Sequence, residues 1–185
     1  MTRQTPYWVA LALAAATLIV LYLMGRNVIC PCGYVSVWSG FDNVEQSSQH
    51  LTDWYTPSHL LHGVLFFGAL WLVARWLPLG WRFAIAMLVE GTWEIVENTP
   101  WVIDHYRTFT VSFDYNGDSV INSAMDLAAM ALGFFLARRL PVWASVAIVI
   151  GFEALTISVV RDGLALNILM LLYPTEAVLQ WQQGG

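Results

Sequence analysis

The sequence predicts an all-α fold, a polytopic bundle of transmembrane helices with five or six spans. Three observations carry that expectation. Of 185 residues, 58% are hydrophobic and only 11% charged, where soluble domains carry about 25% charged residues. The apolar residues gather in runs of about 18–23, the length a helix needs to cross a hydrocarbon layer roughly 30 Å thick. Ten Trp and seven Tyr suit the aromatic belts that form where spans meet water.

Residues 7–24 form the first run, between Arg3 and Gly25-Arg26-Asn27. No small-x-small cleavage site follows its apolar core, so it is expected to remain as a helix, with a removed signal peptide as the alternative. Residues 25–57 form a polar, aromatic-rich loop containing Cys30-Pro31-Cys32. The second span is expected over 58–77, after Pro57, where a missing N–H costs nothing. Arg75, Pro78, Gly80 and Arg82 mark a short turn into a third span over 81–103, its last turn disturbed by Pro100. Asn116-Gly117 signals a turn before a fourth span over 118–137, which ends at Arg138-Arg139. Pro141 opens the fifth, 141–160, which ends at Arg161-Asp162. The last stretch, 164–181, is broken by Pro174 and Glu176 and reads as a short sixth span or an interfacial helix. Residues 1–185 thus read as a single membrane domain.

Arginine placement orients the bundle. Two arginines flank the 75–82 turn and two more the 138–140 turn, against one each in the two long loops. This predicts a multi-pass protein of the bacterial inner membrane, with a cytoplasmic amino terminus and both long loops facing outward.

Composition also excludes functions. The net charge is −5 and no basic tract exists, so nucleic acid is not an expected partner. All cationic residues are arginine. The absence of lysine excludes a Walker-A phosphate loop, a Schiff-base lysine, and pyridoxal or retinal attachment. No glycine-rich dinucleotide fingerprint is present. Membrane lipids are the expected partners, with a homo-oligomer left open.

Acidic residues interrupt the apolar runs, and a carboxylate there costs about 2.5–3.5 kcal/mol on insertion scales. Glu90, Glu94 and Glu97 are spaced to share one helical face, as do His59 and His62. Asp118, Asn122 and Asp126 form a third stripe, with Ser119 and Ser123 beside it, and Glu153 stands alone in the fifth span. At 1.5 Å per residue, Glu94, Asp126 and Glu153 all fall roughly 12 Å below the outer ends of their helices. His62 and Glu97 fall roughly 6–8 Å below theirs. Helices of alternating direction therefore bring these groups to one half of the bilayer. A polar cavity opening outward between spans two, three, four and five is the expectation.

Each group has a plainer reading as well. A buried Glu can be a hydrogen-bonded tie between helices. His59 and His62 begin a helix near the interface. Ser58 and Asp118 can be caps, and Asp53-Trp54-Tyr55 an interfacial anchor. Arg161-Asp162 can be a surface ion pair, worth little. His with carboxylates on neighbouring helices is also the ligand chemistry of zinc, iron or manganese in bundles. The pattern nominates His59, His62 and Asp118 as ligands of a divalent transition metal such as zinc. It nominates Glu94, Glu97 and Asp126 as catalytic carboxylates. Asp53, Ser58, Glu90, Asn122, Glu153 and Arg161 complete the polar set. Neither Glu-x-x-His nor His-Glu-x-x-His occurs. Cys30 and Cys32 leave open a very small disulfide ring, pairing between chains, or a metal role.

The strings CPCGY (30–34), SQHLTDWYTPSHLLHG (48–63), WEIVENTP (93–100), DYNGDSVINSAMD (114–126) and RDGLALNILMLLYP (161–174) closely resemble a family of small bacterial multi-pass membrane proteins catalogued as a domain of unknown function. The resemblance covers nearly the whole chain and implies an inner-membrane protein, but it supplies no catalytic residues. A looser similarity, in the order His, Glu, Asp within spans, is to VanZ-like membrane proteins. Three function classes stay open. They are a metal-assisted hydrolase or transferase acting on a lipid or lipid-linked substrate, a small proton-coupled transporter, and an assembly protein whose polar residues lock helices together.

Overall fold

The computed structural model describes residues 4–40 and 46–184, so Arg3 lies outside the described residues. Among these residues there are helices and no strand. In chain order they are α1 (Thr5–Leu23), α2 (Thr56–Val73), α3 (Leu79–Glu97), α4 (Pro100–Phe109), α5 (Val120–Arg139), α6 (Val142–Val160), α7 (Leu164–Leu172) and α8 (Glu176–Gln182). Four of them, α1, α2, α5 and α6, are long and apolar enough to cross a membrane. The 19-residue α3 has the length but carries Arg82 and three glutamates.

Two expected segments divide. The run expected over 81–103 stops at Glu97, because Pro100 holds Thr99 in an extended conformation (ψ 150°). Thr99 then caps α4, its side chain accepting from the Val102 N–H. The stretch expected over 164–181 breaks at Tyr173, before Pro174, into α7 and α8. The nine-residue α7 rises only about 14 Å, too short to span.

Packing follows the small residues. Pro6 at the start of α1 meets Gly80, and Thr17 meets Gly91, so α1 and α3 run side by side in the same direction. Phe83 and Met87 of α3 pack with Leu127, Met130 and Phe134 of α5 and with Ala10 of α1 in one apolar core. The α1–α2 loop straps over the start of α5. There the Val120 and Ile121 N–H groups donate to Asn27 O (2.8 Å) and Val28 O (3.2 Å), satisfying donors that a helix start leaves orphaned.

Candidate functional site

The site begins with two glycines. A methyl group on Gly63 of α2 would sit 2.0 Å from Met130 O, and one on Gly133 of α5 would sit 2.0 Å from Leu60 O. The two backbones therefore touch, as small residues permit in membrane bundles. One helical turn before Gly63 is His59, and one turn before Met130 is Asp126. The shared core brings α3 alongside and presents Glu90 and Glu94 to the same level.

His59 Nδ1 lies 2.7 Å from Glu90 Oε1. His62 Nδ1 lies 3.1 and 2.9 Å from the two Glu90 oxygens. An ionised carboxylate only accepts, so both imidazoles donate from Nδ1, which in the neutral ring leaves the lone pair on Nε2. His59 Nε2 faces Asp126 Oδ2 at 4.0 Å, and Glu94 Oε1 is 3.4 Å from His59 Nδ1, the nitrogen that Glu90 also holds. Glu90 and Glu94 are 0% exposed, Asp126 4% and His59 7%. Glu90 is fully partnered. Glu94 is not: neither of its oxygens has a hydrogen-bond partner, and Asp126 Oδ1 and the buried Ser123 hydroxyl also lack one.

One ligand atom each from His59, Glu94 and Asp126 lies within 4.8 Å of the others, and the same holds for His59, His62 and Glu90. The first trio fits a cation better. Both Glu94 oxygens and Asp126 Oδ1 lack a hydrogen-bond partner, and Glu90 holds the His59 ring at Nδ1, leaving Nε2 towards Asp126, as the carboxylates behind metal-bound histidines do. Asp118, expected as a ligand, belongs to neither trio. Asn98 Nδ2 donates to it at 2.6 Å, Tyr115 OH at 3.1 Å, and its own N–H donates to Asn98 Oδ1 at 2.7 Å. It joins the α3 end to the start of α5. His62 likewise sits in the Glu90 tie rather than in the unclaimed trio.

Two cavities meet at this centre. A polar chamber of about 100 Å³ is lined by Ser48, Tyr55, His59, Glu97, Asp118 and Asp126, among others. An apolar groove of about 390 Å³ runs beside it between α2, α3 and α7, lined by Ser58, His62, Phe66, Trp93, Ile168 and Leu172 among others. Tyr55, His59, Glu97 and Asn167 line both. Burial, then the charge of Asp162, pushes the Tyr55 hydroxyl well up from its usual range, so it stays a neutral donor at the junction.

The remaining expected residues divide between turns and ties. Asp53 closes the turn into α2, accepting from Ser48 N (2.9 Å), Tyr55 N (2.8 Å) and Thr56 N (3.2 Å). Asn122 donates to His50 O at 2.9 Å and holds the strap. Glu153 does not reach the chamber. It accepts from Leu164 N (2.8 Å) and Ala165 N (3.0 Å) and so caps α7, where an acid complements orphan donors and the helix dipole. Arg161 is exposed and donates to Trp181 O at 3.0 Å, so it tethers α8 instead of lining the site.

Three participants were not anticipated from the sequence. Asn98 had a signal, since it extends the Glu90, Glu94 stripe by one more turn. Tyr55 and Asn167 had none, because they reach the junction through a loop and through α7.

The sequence model of the family described as "Protein of unknown function (DUF2585)" matches residues 21–184. A protein of Paracoccus denitrificans called "UPF0314 protein" is 59% identical over 97% of this chain and 93% of its own length. A Rhizobium etli protein of the same designation is 51% identical over 98% and 94%. One from Novosphingobium aromaticivorans is 50% identical over 95% and 91%. No solved structure matches.

Proposed function

The chain belongs to the DUF2585 family, and from its site we propose a membrane-embedded, metal-assisted hydrolase or transferase acting on a lipid or lipid-linked substrate. One observation carries this reading. Glu94 is completely buried, with neither carboxylate oxygen hydrogen-bonded and only the His59 ring, 3.4 Å away at Nδ1, as an ion-pair partner; its neighbours His59 and Asp126 line the polar chamber that adjoins the apolar groove. A buried polar group left without its hydrogen bonds costs about 1–3 kcal/mol, and more when charged, which a cation held between these residues would offset. His59, Glu94 and Asp126 would hold it, and the ion would supply a Lewis acid.

The other residues have roles that need only their own geometry. Glu90 orients His59. Glu97, half-buried and common to both cavities, is placed to take a proton from water or from a substrate hydroxyl. Leu65, Phe66, Ile168 and Leu172 offer an alkyl chain a surface, with its polar end directed to Glu97. The protein is read as one bundle in a bacterial inner membrane. Arg75 and Arg82, with Arg138 and Arg139, mark its cytoplasmic end, and the chamber faces outward.

The assembly-protein reading has its own support, because Glu90, Asp118, Asn122 and Glu153 are all satisfied ties between segments. Glu94→Gln separates the two. Under the enzyme reading this variant accumulates in the membrane at near wild-type levels, contains no stoichiometric zinc while Cys30 and Cys32 are disulfide-bonded, and does not complement a deletion strain. Full complementation by Glu94→Gln, with no transition metal in the purified wild-type protein, would leave the assembly role.

A further inference from the structure

We propose that Cys30, Cys32 and His50 form a second site, in the α1–α2 loop, that is closed as a disulfide and binds one Zn²⁺ once it is reduced. Cys30 and Cys32 are bonded to each other. Their sulfurs and a ring nitrogen of His50 lie within 4.8 Å of one another. The third donor arrives from 18 residues further along the chain than Cys32, so the fold assembles the set. Two thiolates and an imidazole are a zinc donor set that leaves a fourth position open. It is softer than the carboxylate-rich centre between the helices.

The His50 ring is fixed before any ion arrives. It stacks on Tyr34 at 5.2 Å between centroids, and Ser36 N–H donates to its Nδ1 at 3.1 Å. Its Nε2–H therefore donates to Gln46 Oε1 at 3.0 Å. A neutral imidazole has one lone pair, and Ser36 occupies it. A cation on Nδ1 would displace the Ser36 N–H directly. A cation on Nε2 would move the ring proton to Nδ1, which ends the same bond. Loading the site and holding Ser36 are mutually exclusive.

Access is one-sided. Cys30 is buried and Cys32 exposed, so a reductant attacks Cys32 Sγ. With a dithiol reductant, its thiolate forms a mixed disulfide with Cys32 and Cys30 leaves as thiolate. The second reductant thiolate then closes the reductant's own disulfide and frees Cys32. Two electrons and two protons pass to the cysteines, and Zn²⁺ displaces the protons.

The loop carries the consequence towards the chamber. Leu51 N–H donates to Ser36 O at 3.1 Å, His50 O holds Asn122, and Ser47 and Ser48 line the chamber. Ending the Ser36–His50 bond therefore changes a contact within the same loop that holds Asn122 and lines the chamber.

The test uses the whole chain in detergent. Oxidised protein and protein reduced with a dithiol are each equilibrated with Zn²⁺, and bound metal is counted by elemental analysis. A parallel sample receives Co²⁺ and is read for a thiolate-to-cobalt charge-transfer band. Reduction is expected to add one equivalent of zinc and to bring up the band in the wild-type protein. Cys32→Ser loses both, and Glu94→Gln retains both. Equal zinc in the oxidised and reduced forms, or no thiolate band on reduction, overturns the site. So does an added equivalent that survives Cys32→Ser.

Discussion

Helices α5 and α6 are consecutive, nearly equal in length at 20 and 19 residues, and both long and apolar enough to span a membrane. They do opposite things. α5 buries eight residues, including Asn122, Ser123 and Asp126, whereas α6 buries only Thr156. Each carries an acid that looks anomalous in an apolar helix. Asp126 is enclosed beside His59 with an oxygen unclaimed, while Glu153 turns to the backbone N–H groups of α7. The contrast lies in the residues around the acid. Asp126 stands two turns before Gly133, whose missing side chain admits α2 to backbone contact. Gly151 of α6 has no atom within 4 Å of where a Cβ would be. A carboxylate in an apolar helix is enclosed with other titratable groups when small residues let neighbouring helices close around it.

The largest expected effect sets the two acids against each other. Asp126→Asn keeps the shape of the side chain but removes its charge, and is expected to abolish complementation of a deletion strain. Loss of a group acting on the reaction typically costs about 10²–10⁴-fold in rate. Glu153→Gln still offers an oxygen to the α7 N–H groups and is expected to complement fully. Equal phenotypes for the two variants would erase the functional half of the comparison.

The next effect concerns packing. Gly133→Ala drives a methyl into Leu60 O, and overpacking of this kind costs about 1–3 kcal/mol. Gly151→Ala meets nothing and gains helix propensity, about 1 kcal/mol in water. Thermal unfolding in detergent is expected to fall for the first and to hold or rise for the second. A Gly133→Ala protein as stable as wild type would mean that α2 and α5 are not in backbone contact.

The same contrast explains what the sequence made legible. The all-helical fold was visible because apolar runs of about 18 residues or more are longer than strands and read as helices. The pairing of Glu94 with Asp126 was visible because the two fall at matching depths on their helices, and depth follows from counting residues. The break at Asn98-Thr99 is less legible, since Pro100 in the sequence implies only a disturbed turn, whereas in the fold it starts a new helix. Glu153 matched the others in depth and still went elsewhere. Depth is one coordinate, and the rotation and neighbours of α6 are set by long-range packing that residue counting does not contain. Likewise, a ligand role for Asp118 is reasonable by residue type, but Asn98 and Tyr115 claim its oxygens, and those partners are fixed by side-chain geometry.

The last effect, which appears only as pH changes, sits where α6 ends, at Asp162. Its Oδ1 accepts from Gly163 N at 2.9 Å and its Oδ2 from Tyr55 OH at 3.4 Å. Burial nevertheless pushes its carboxyl from the usual 3.8 up to about 6, outweighing those hydrogen bonds. Between these two values the folded protein holds a proton that the unfolded chain has released. The stability owed to this group therefore falls as pH rises through the window, and the cost is complete above the folded value. At 1.36 kcal/mol per pKa unit the full cost is at most about 3 kcal/mol. Asp162→Asn cannot ionise and keeps an acceptor for Gly163 and Tyr55. It should unfold at a higher temperature than wild type at pH 8, by a margin that shrinks through pH 6 and closes near pH 4. Unfolding midpoints of the two proteins measured across that range check this. A margin that stays constant with pH would mean that Asp162 does not titrate there, and that α6 contributes no buried ionisable group at its end.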